Sequence, residues 1–368
     1  MKLTVRSRNG LVCLGAVLLV LFTGIQTLSA TMLVVGNCKP GGYPTIQQAI
    51  NAAPVGAKVQ VCPGNYFEQV KITRAVTLQG ITDNSGQTAQ IYPPTSGLVA
   101  NATNAYGRSV SAQVLVENSA GAVNISGLYI SGEGHAVAAG DVAGIFYQNS
   151  PGTVNGVSAW VQDDDGVGFG VGIWLEGGAA KPSVTIQNCL IVDSSYASIL
   201  VETSDQHNTD LTAKIANNLL GVPDIDNASG VLAASGATVT ITGNSVTGNN
   251  MGYGFWIGPG VTGSVSDNDM TTTAIGIETY ADAVSITSNK FSFNAFKGID
   301  LQTAVGEVKS NVIVYPFYIA IEFNCIANPN VRSNTINNAL FVGLDQVPSG
   351  VNTSTNKIFV TGTARTGC

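Results

Sequence analysis

Charged residues make up only 11% of this 368-residue chain, and basic ones are the scarcer kind, 16 against 23 acidic. Three of the basic residues, Lys2, Arg6 and Arg8, precede residue 30, and all the acidic ones follow it, so the remainder carries a formal charge of 13 minus 23, or −10. A chain with this balance has no basic face on which to hold nucleic acid. Histidine is nearly absent: His135 and His207 are the only two. That removes a His-pair metal site and a His-based general base from the chemistry to be considered. Long apolar runs are missing beyond Leu11–Ile25, so no later stretch suits a membrane span. No glycine-rich phosphate loop and no nucleophile–His–Asp set is present.

The short apolar run itself follows Lys2, Arg6 and Arg8 and ends near the small residues Thr27, Ser29 and Ala30. This is the pattern of a secretory signal peptide over residues 1–30, which predicts a secreted or periplasmic protein with no stable membrane insertion after cleavage. Residues 31–368 are then expected to form one domain.

What is present in that domain is a repeated phrase: an apolar residue, two fillers, a polar residue that is usually Asn, one filler, and another apolar residue. It occurs at Ile215–Leu220, Ile241–Val246, Val265–Met270, Ile286–Phe291, Val308–Ile313 and Val331–Ile336. From Asn289 the Asn positions step by 22 to Asn311, 23 to Asn334 and 22 to Asn356. A period of this size marks a solenoid, one coil per repeat. No helical spacing of apolar residues fits. Runs of three to five residues rich in Val, Ile and Thr, cut by Gly, Asn and Ser, fit short strands. Three such strands fill a coil, which predicts an all-β, single-stranded parallel β-helix of about 10 coils, spanning about residues 59–361. An Asn repeated at one corner would stack amide on amide and satisfy buried polar groups.

The open apolar end of a solenoid needs a cap. Tyr43–Pro54 supplies the best helix: Thr45 is a suitable N-cap, Gln48 completes a capping-box pattern, and Ile46, Ala49, Ile50 and Ala53 share a face. The cap covers residues 38–62. Five cysteines follow the leader, so at least one is unpaired or pairs between chains. Cys38 and Cys62 flank the cap and are expected to form a disulfide in an exported chain. Cys325 with Cys368 is the second expected pair, and Cys189, standing where its neighbours carry the Asn, is expected to be a buried thiol.

The runs Tyr43-Pro-Thr-Ile-Gln-Gln-Ala-Ile-Asn-Ala-Ala-Pro54 and Val59-Gln-Val-Cys-Pro-Gly-Asn-Tyr-Phe-Glu68, with Val70-Lys-Ile72, resemble the opening of pectin methylesterases and other right-handed parallel β-helix proteins of the pectin-lyase-like superfamily. The resemblance covers about 40 residues closely and the remainder only through the repeat. It implies the fold, not the reaction. The esterases' Gln-Ala-Val-Ala-Leu-like, Asp-Phe-Ile-Phe-Gly-like and Leu-Gly-Arg-Pro-Trp-like segments are missing, and the mature arginines, Arg74, Arg108, Arg332 and Arg365, stand in other contexts. The polygalacturonase set of Asn-Thr-Asp, Asp-Asp, Gly-His-Gly and Arg-Ile-Lys is unmatched too.

After each Asn corner a second phrase recurs, a small residue followed by an apolar one, as in Gly172-Ile173-Trp174, Gly254-Phe255-Trp256 and Gly298-Ile299-Asp300. If the middle residue points inward, the third points outward. The outward column is then Phe146, Trp174, Leu200, Leu232, Trp256, Glu278, Asp300, Glu322 and Asp345: apolar and aromatic first, acidic afterwards. Neighbouring carboxylates about 5 Å apart repel by roughly 3 kcal/mol at an effective dielectric near 20, and by under about 1 kcal/mol in water. Such a stack is wet, protonated, neutralised by a cation, or used as an acid and base pair. In the superfamily this sheet resembles the floor of the substrate groove. Rung spacing suits the carboxylate separations of glycosidases.

The expectation is therefore a protein that binds an extracellular polysaccharide along this column, through Phe146, Trp174 and Trp256 with Glu176 and Glu202 in the next outward column. Its enzymatic form, a polysaccharide lyase or glycoside hydrolase, would place catalysis at Glu278, Asp300, Glu322 and Asp345. Lys290, Lys297, Lys309 and Arg332 are the cations available to a lyase. Acidic loops precede the column, among them Glu133, Asp141, Asp224, Asp226 and the triplet Asp163, Asp164 and Asp165, and calcium is the metal that such oxygen clusters suit. The alternatives are a non-catalytic carbohydrate-binding or surface-structural β-helix, and a divergent esterase of the pectin methylesterase kind.

Overall fold

The computed structural model describes residues 31–133, 140–162, 168–203, 211–222, 227–303, 306–326 and 330–368. Three parallel sheets run the length of the body, with 12, 12 and 13 strands. The chain visits them in turn, as in Ala283–Thr287 of the first sheet, Lys290–Ser292 of the second and Lys297–Leu301 of the third. Each strand pairs with its counterparts one coil earlier and one coil later. Among the described residues the result is a parallel β-helix with one helix at its start and 12 or 13 stacked strands in each sheet, roughly in line with the coil count expected from the repeat.

Alternation explains the core. In Ala283–Thr287, Val284 and Ile286 are buried and the others are not. Repeated coil after coil, the inward Val, Ile, Leu and Phe form one continuous apolar cluster from Leu33 to Val347. At the small residue of the second phrase space is tight: a Cβ on Gly276 would lie 2.3 Å from the Phe291 ring and 2.5 Å from the Gly298 carbonyl oxygen. Sheet and core close together there, and the small residue is what permits it.

The Asn corner is a chain of amides. Nδ2 of Asn218, Asn244, Asn268, Asn289, Asn311 and Asn334 each donates to Oδ1 of the next, at 2.9–3.1 Å. The same oxygen also accepts the backbone N–H of the preceding Asn, as Asn268 Oδ1 does from Asn244 N at 2.9 Å. These six side chains are at most 1% exposed, so the pairing satisfies groups that water cannot reach. Cys189 takes the place before Asn218: its N–H donates to Asn218 Oδ1 at 2.9 Å, and its thiol is buried and unpaired, with burial pushing its pKa up to about 11.

The helix Ile46–Ala52 lays Ile46, Ala49 and Ile50 on the core. Thr45 caps it, its Oγ1 accepting from Gln48 N at 3.1 Å. The other two free donors, Ile46 N and Gln47 N, go to the Glu68 carboxylate at 2.8 and 2.9 Å. A residue beyond the helix, with its charge at the positive helix end, thus satisfies two first-turn donors that a local capping box leaves free. Cys38–Cys62 and Cys325–Cys368 are both disulfides, each with Cα atoms 5.7 Å apart.

Candidate functional site on the third sheet

The outward column of the third sheet is in register from Phe146 through Trp174, Leu200, Leu232, Trp256, Glu278, Asp300 and Glu322 to Asp345. Its first half is not open. Phe146 is 0% and Trp174 1% exposed. With Leu115, Leu200 and Leu232 they form a second apolar cluster on the outside of the sheet, against which Ala102, Phe169 and Tyr196 pack. The cover is an arm around residues 100–108, joined to the sheet by Ala102–Thr103 pairing antiparallel with Ser109–Val110. It is held down by Gln148 Nε2 donating to Thr103 O at 2.7 Å and Ala105 N donating to Glu176 Oε2 at 2.7 Å. The expectation of Phe146 and Trp174 as solvent-facing sugar platforms is therefore corrected: outward on the sheet means inward to a second core. Trp256, farther along, stays partly exposed and packs on Tyr280 with ring centroids 5.4 Å apart.

Where the arm ends, a cavity of about 370 Å³ opens, lined by Asn104, Tyr106, Arg108, Phe169, Trp174, Tyr196, Leu200, Glu202, Leu232 and Ala234. Two further depressions, of about 230 and 280 Å³, continue it. The first shares Tyr196, Leu232 and Ala234 with the cavity and adds Trp256 and Tyr253. The second shares Asn227 and Tyr253 and ends at Ile275 and Phe296. They run together as one groove with aromatic walls.

Glu202 is the carboxyl of that groove. It is 5% exposed, and Trp174 Nε1 donates to its Oε1 at 2.9 Å. Burial, with the neighbouring Glu176 charge adding to it, pushes its pKa up to about 8, so the group is a neutral acid at pH 7. Glu176 lies one rung earlier in register. It accepts from Gln148 Nε2 at 2.8 Å and from Ala105 N, and burial raises its pKa too. Arg108 caps the other wall: its guanidinium pairs with the buried Asp141 carboxylate and lies 4.2 Å from the Phe169 ring centroid. Asp141 also accepts from Phe169 N at 2.9 Å.

The acidic half of the column is a different structure. Glu278, Asp300 and Glu322 are only 7%, 1% and 6% exposed, so water does not screen their charges. A side chain does. Lys297 Nζ reaches Asp300 Oδ2 at 2.6 Å and also pairs with Glu322. Hydrogen bonds take up remaining oxygens: Asn324 Nδ2 to Asp300 Oδ1 at 2.6 Å, Gln346 Nε2 to Glu322 Oε1 at 2.8 Å, Tyr280 OH to Glu278 Oε1 at 3.1 Å, and Thr366 Oγ1 to Asp345. Glu278, beyond the reach of the lysine's direct pairs, has its pKa raised, first by burial and then by the Asp300 charge. Burial works to lower the Lys297 pKa, but its bonds to Asp300 and Glu322 outweigh that and raise it. Lys297 is thus a held cation and not a base.

Among the described residues no group of three His, Cys, Asp or Glu side chains is placed to hold a metal. Asp163, Asp164 and Asp165, named for calcium, lie outside the described residues, as do His135, His207, Asp224 and Asp226. Sequence reasoning singled out Glu176 and Glu202 but not Asn104, Tyr106 or Arg108. These sit in an excursion between strands, outside the repeat, where no period says which coil they will cover.

A family model described as the right handed beta helix region matches residues 172–359, a little over half of the chain. The chain belongs to the right-handed β-helix family. No curated protein matches this β-helix chain in sequence. Solved structures with a similar course include the GH136 lacto-N-biosidase from Eubacterium ramulus, at 13% identity and TM-score 0.54, with 92% of this chain and 68% of that one covered. The catalytic domain of a GH87 α-1,3-glucanase in complex with nigerose is similar at 15% identity and TM-score 0.52, covering 91% and 68%. A variant of DFA-IIIase from Arthrobacter chlorophenolicus in complex with DFA-III follows at 15% and 0.50, covering 91% and 85%. At these identities the likeness is one of fold. It joins this β-helix to carbohydrate-active proteins by architecture.

Proposed function

We propose that this β-helix protein is exported and binds a polysaccharide in the groove from Arg108 to Phe296, cleaving a glycosidic bond beside Glu202. The observation that carries the reading is a carboxyl only 5% exposed, held by the Trp174 indole and lining an aromatic-walled cavity, where burial favours its protonated form. A neutral carboxylic acid in such a place is suited to give its proton to a leaving glycosidic oxygen. Tyr106, Tyr196, Tyr253 and Trp256 offer aromatic walls to the apolar faces of sugar rings, and Arg108 and Asn104 offer donors to hydroxyls. Glu176, one rung away at about 4.8 Å along the sheet, is the nearest second carboxylate, and that spacing is close to the roughly 5–5.5 Å of retaining glycosidases. Export is supported by the leader-like residues 1–30 and by two disulfides.

The four acids expected to be catalytic, Glu278, Asp300, Glu322 and Asp345, favour a second role. Asp300 and Glu322 are tied by Lys297, Glu278 by the Tyr280 hydroxyl and Asp345 by the Thr366 hydroxyl, so they brace the sheet beyond the groove, and a non-catalytic binding protein would use the groove in the same way.

The test is a panel of polysaccharides with and without calcium, read for new reducing ends, for unsaturated products by ultraviolet absorbance, and for methanol. Reducing ends from one glycan, lost in Glu202→Gln while retention on that glycan persists, is the expected result. Unsaturated products would indicate a lyase and methanol an esterase. Silence in all three channels with retention on a glycan would leave the binding protein, and cleavage unchanged in Glu202→Gln would remove Glu202 from the chemistry.

A further inference from the structure

Around the corner between the second and third sheets, the last coils expose rings that the core does not claim. Phe293, Phe296, Tyr315, Phe317, Tyr318, Phe341 and Phe359 are each 41–61% exposed, and Leu340 beside them is 45% exposed. Six of the rings form ladders along the body, and Phe359 stands apart from them on the strand Lys357–Val360. Phe293 stacks on Tyr315 with centroids 5.3 Å apart and planes 3° from parallel. Phe296 stacks on Tyr318 at 5.7 Å and 10°, and Tyr318 on Phe341 at 5.0 Å and 18°. Phe317 sits edge-on to Tyr318. No charged residue interrupts the stretches 291–296, 314–321, 339–344 or 358–363.

A contiguous exposed patch of this kind on a soluble surface marks a binding site. Its chemistry narrows the occupant. A sugar ring stacks on an open aromatic face, and in these ladders the faces are spent on one another, leaving edges outward. A membrane surface is read by apolar side chains flanked with Lys and Arg, whereas this chain is acidic overall and its Lys290 and Lys297 are engaged by Asp269 and by Asp300 and Glu322. Aromatic enrichment with depletion of charge is the composition of a protein–protein interface core. The area also fits: seven rings, each roughly half exposed, present on the order of 500–900 Å², close to the roughly 800 Å² per partner of a standard interface.

We infer that this ladder is a self-association surface, and that its partner is a second copy of this chain. An isologous pairing sets the same patch against itself, so rows of ring edges meet rows of ring edges without needing a complementary charge pattern. The ladder meets the groove at Phe296, and the rings substituted in the test, Phe317, Phe341, Phe293 and Tyr315, do not line it, so loss of pairing and loss of glycan binding are read separately.

The test is the mass of the purified protein in solution, by light scattering and sedimentation, from about 0.1 to 100 µM, a span that reaches above the roughly µM-to-pM affinities of interfaces of this size. The wild type should show twice the mass of one chain. Phe317→Ser with Phe341→Ser should show the mass of one chain, with circular dichroism and melting unchanged. Phe293→Ser with Tyr315→Ser serves as a second pair should the first fail to fold. A wild type that keeps the mass of one chain throughout, or folded variants that remain paired, would overturn the inference.

Discussion

Replacing Glu202 by Gln should make the protein more stable, and only at the upper end of the pH range. The carboxyl sits in the native state with a pKa of about 8, against an ordinary 4.5. Below pH 4.5 both folded and unfolded forms hold the proton and there is no penalty. Between the two values the unfolded form releases it while the native form keeps it, so stability falls as pH rises, and above pH 8 the loss is complete. The span of about 3.5 pKa units corresponds to about 5 kcal/mol in full, of which roughly 1 kcal/mol is already lost by pH 5 and 4–5 kcal/mol by pH 8.5. Gln keeps the shape and the oxygen that accepts from Trp174 but has no proton to lose. Chemical denaturation at both pH values should therefore find the variant within about 1 kcal/mol of wild type at pH 5 and several kcal/mol more stable at pH 8.5. Parallel curves for the two proteins from pH 5 to 8.5 would mean that Glu202 is ionised in the native state, and the proton donor proposed for the groove would go with it.

Other perturbations separate the parts of the molecule. Asn268→Ala removes the acceptor of the Asn244 N–H and breaks the amide chain on both sides. With about 1–3 kcal/mol for each buried group left unpaired, a loss of about 3 kcal/mol or more is expected, whereas the exposed Asn65→Ala should stay within about 0.5 kcal/mol; equal denaturation midpoints would refute the ladder's role. Lys297→Met strips the cation from Asp300 and Glu322, and a loss of about 3–5 kcal/mol at pH 7 is expected. Wild type should in turn lose stability above pH 10.5, as pH rises through the raised Lys297 pKa; pH titration of the denaturation midpoint reads both.

The body of the fold was legible because it is periodic. Asn289, Asn311, Asn334 and Asn356 mark equal turns of chain, and the inward Ile and Val between them leave one way to coil. The site was legible only in part, because period-two counting tells which side of a sheet a residue leaves from and not what lies above it. Phe146 and Trp174 do point away from the main core, as alternation requires. They are buried by an arm from residues 100–108, which belongs to no repeat. Lys297 was legible only as an available cation, because a corner position just before Gly298 does not say which carboxylates of neighbouring coils it will meet; it meets Asp300 and Glu322. Glu68 shows the same limit at the other end of the molecule: the residue that caps the helix is about 22 positions away.

The Asn column has a sense of direction. Every side-chain amide from Asn218 to Asn334 gives its hydrogen toward the C-terminal end and takes one from the N-terminal side. Seven amides spaced about 4.8 Å apart therefore stand head to tail, a file of aligned dipoles in which each bond polarises the next. Such a file is stronger in the middle than at its ends. A break at Asn268 leaves two short files where there was one long one, while a break at the partly exposed Asn356 merely shortens it. The file is thus best supported about Asn289, and the thiol substitute Cys189 stands at its N-terminal end, where least is lost.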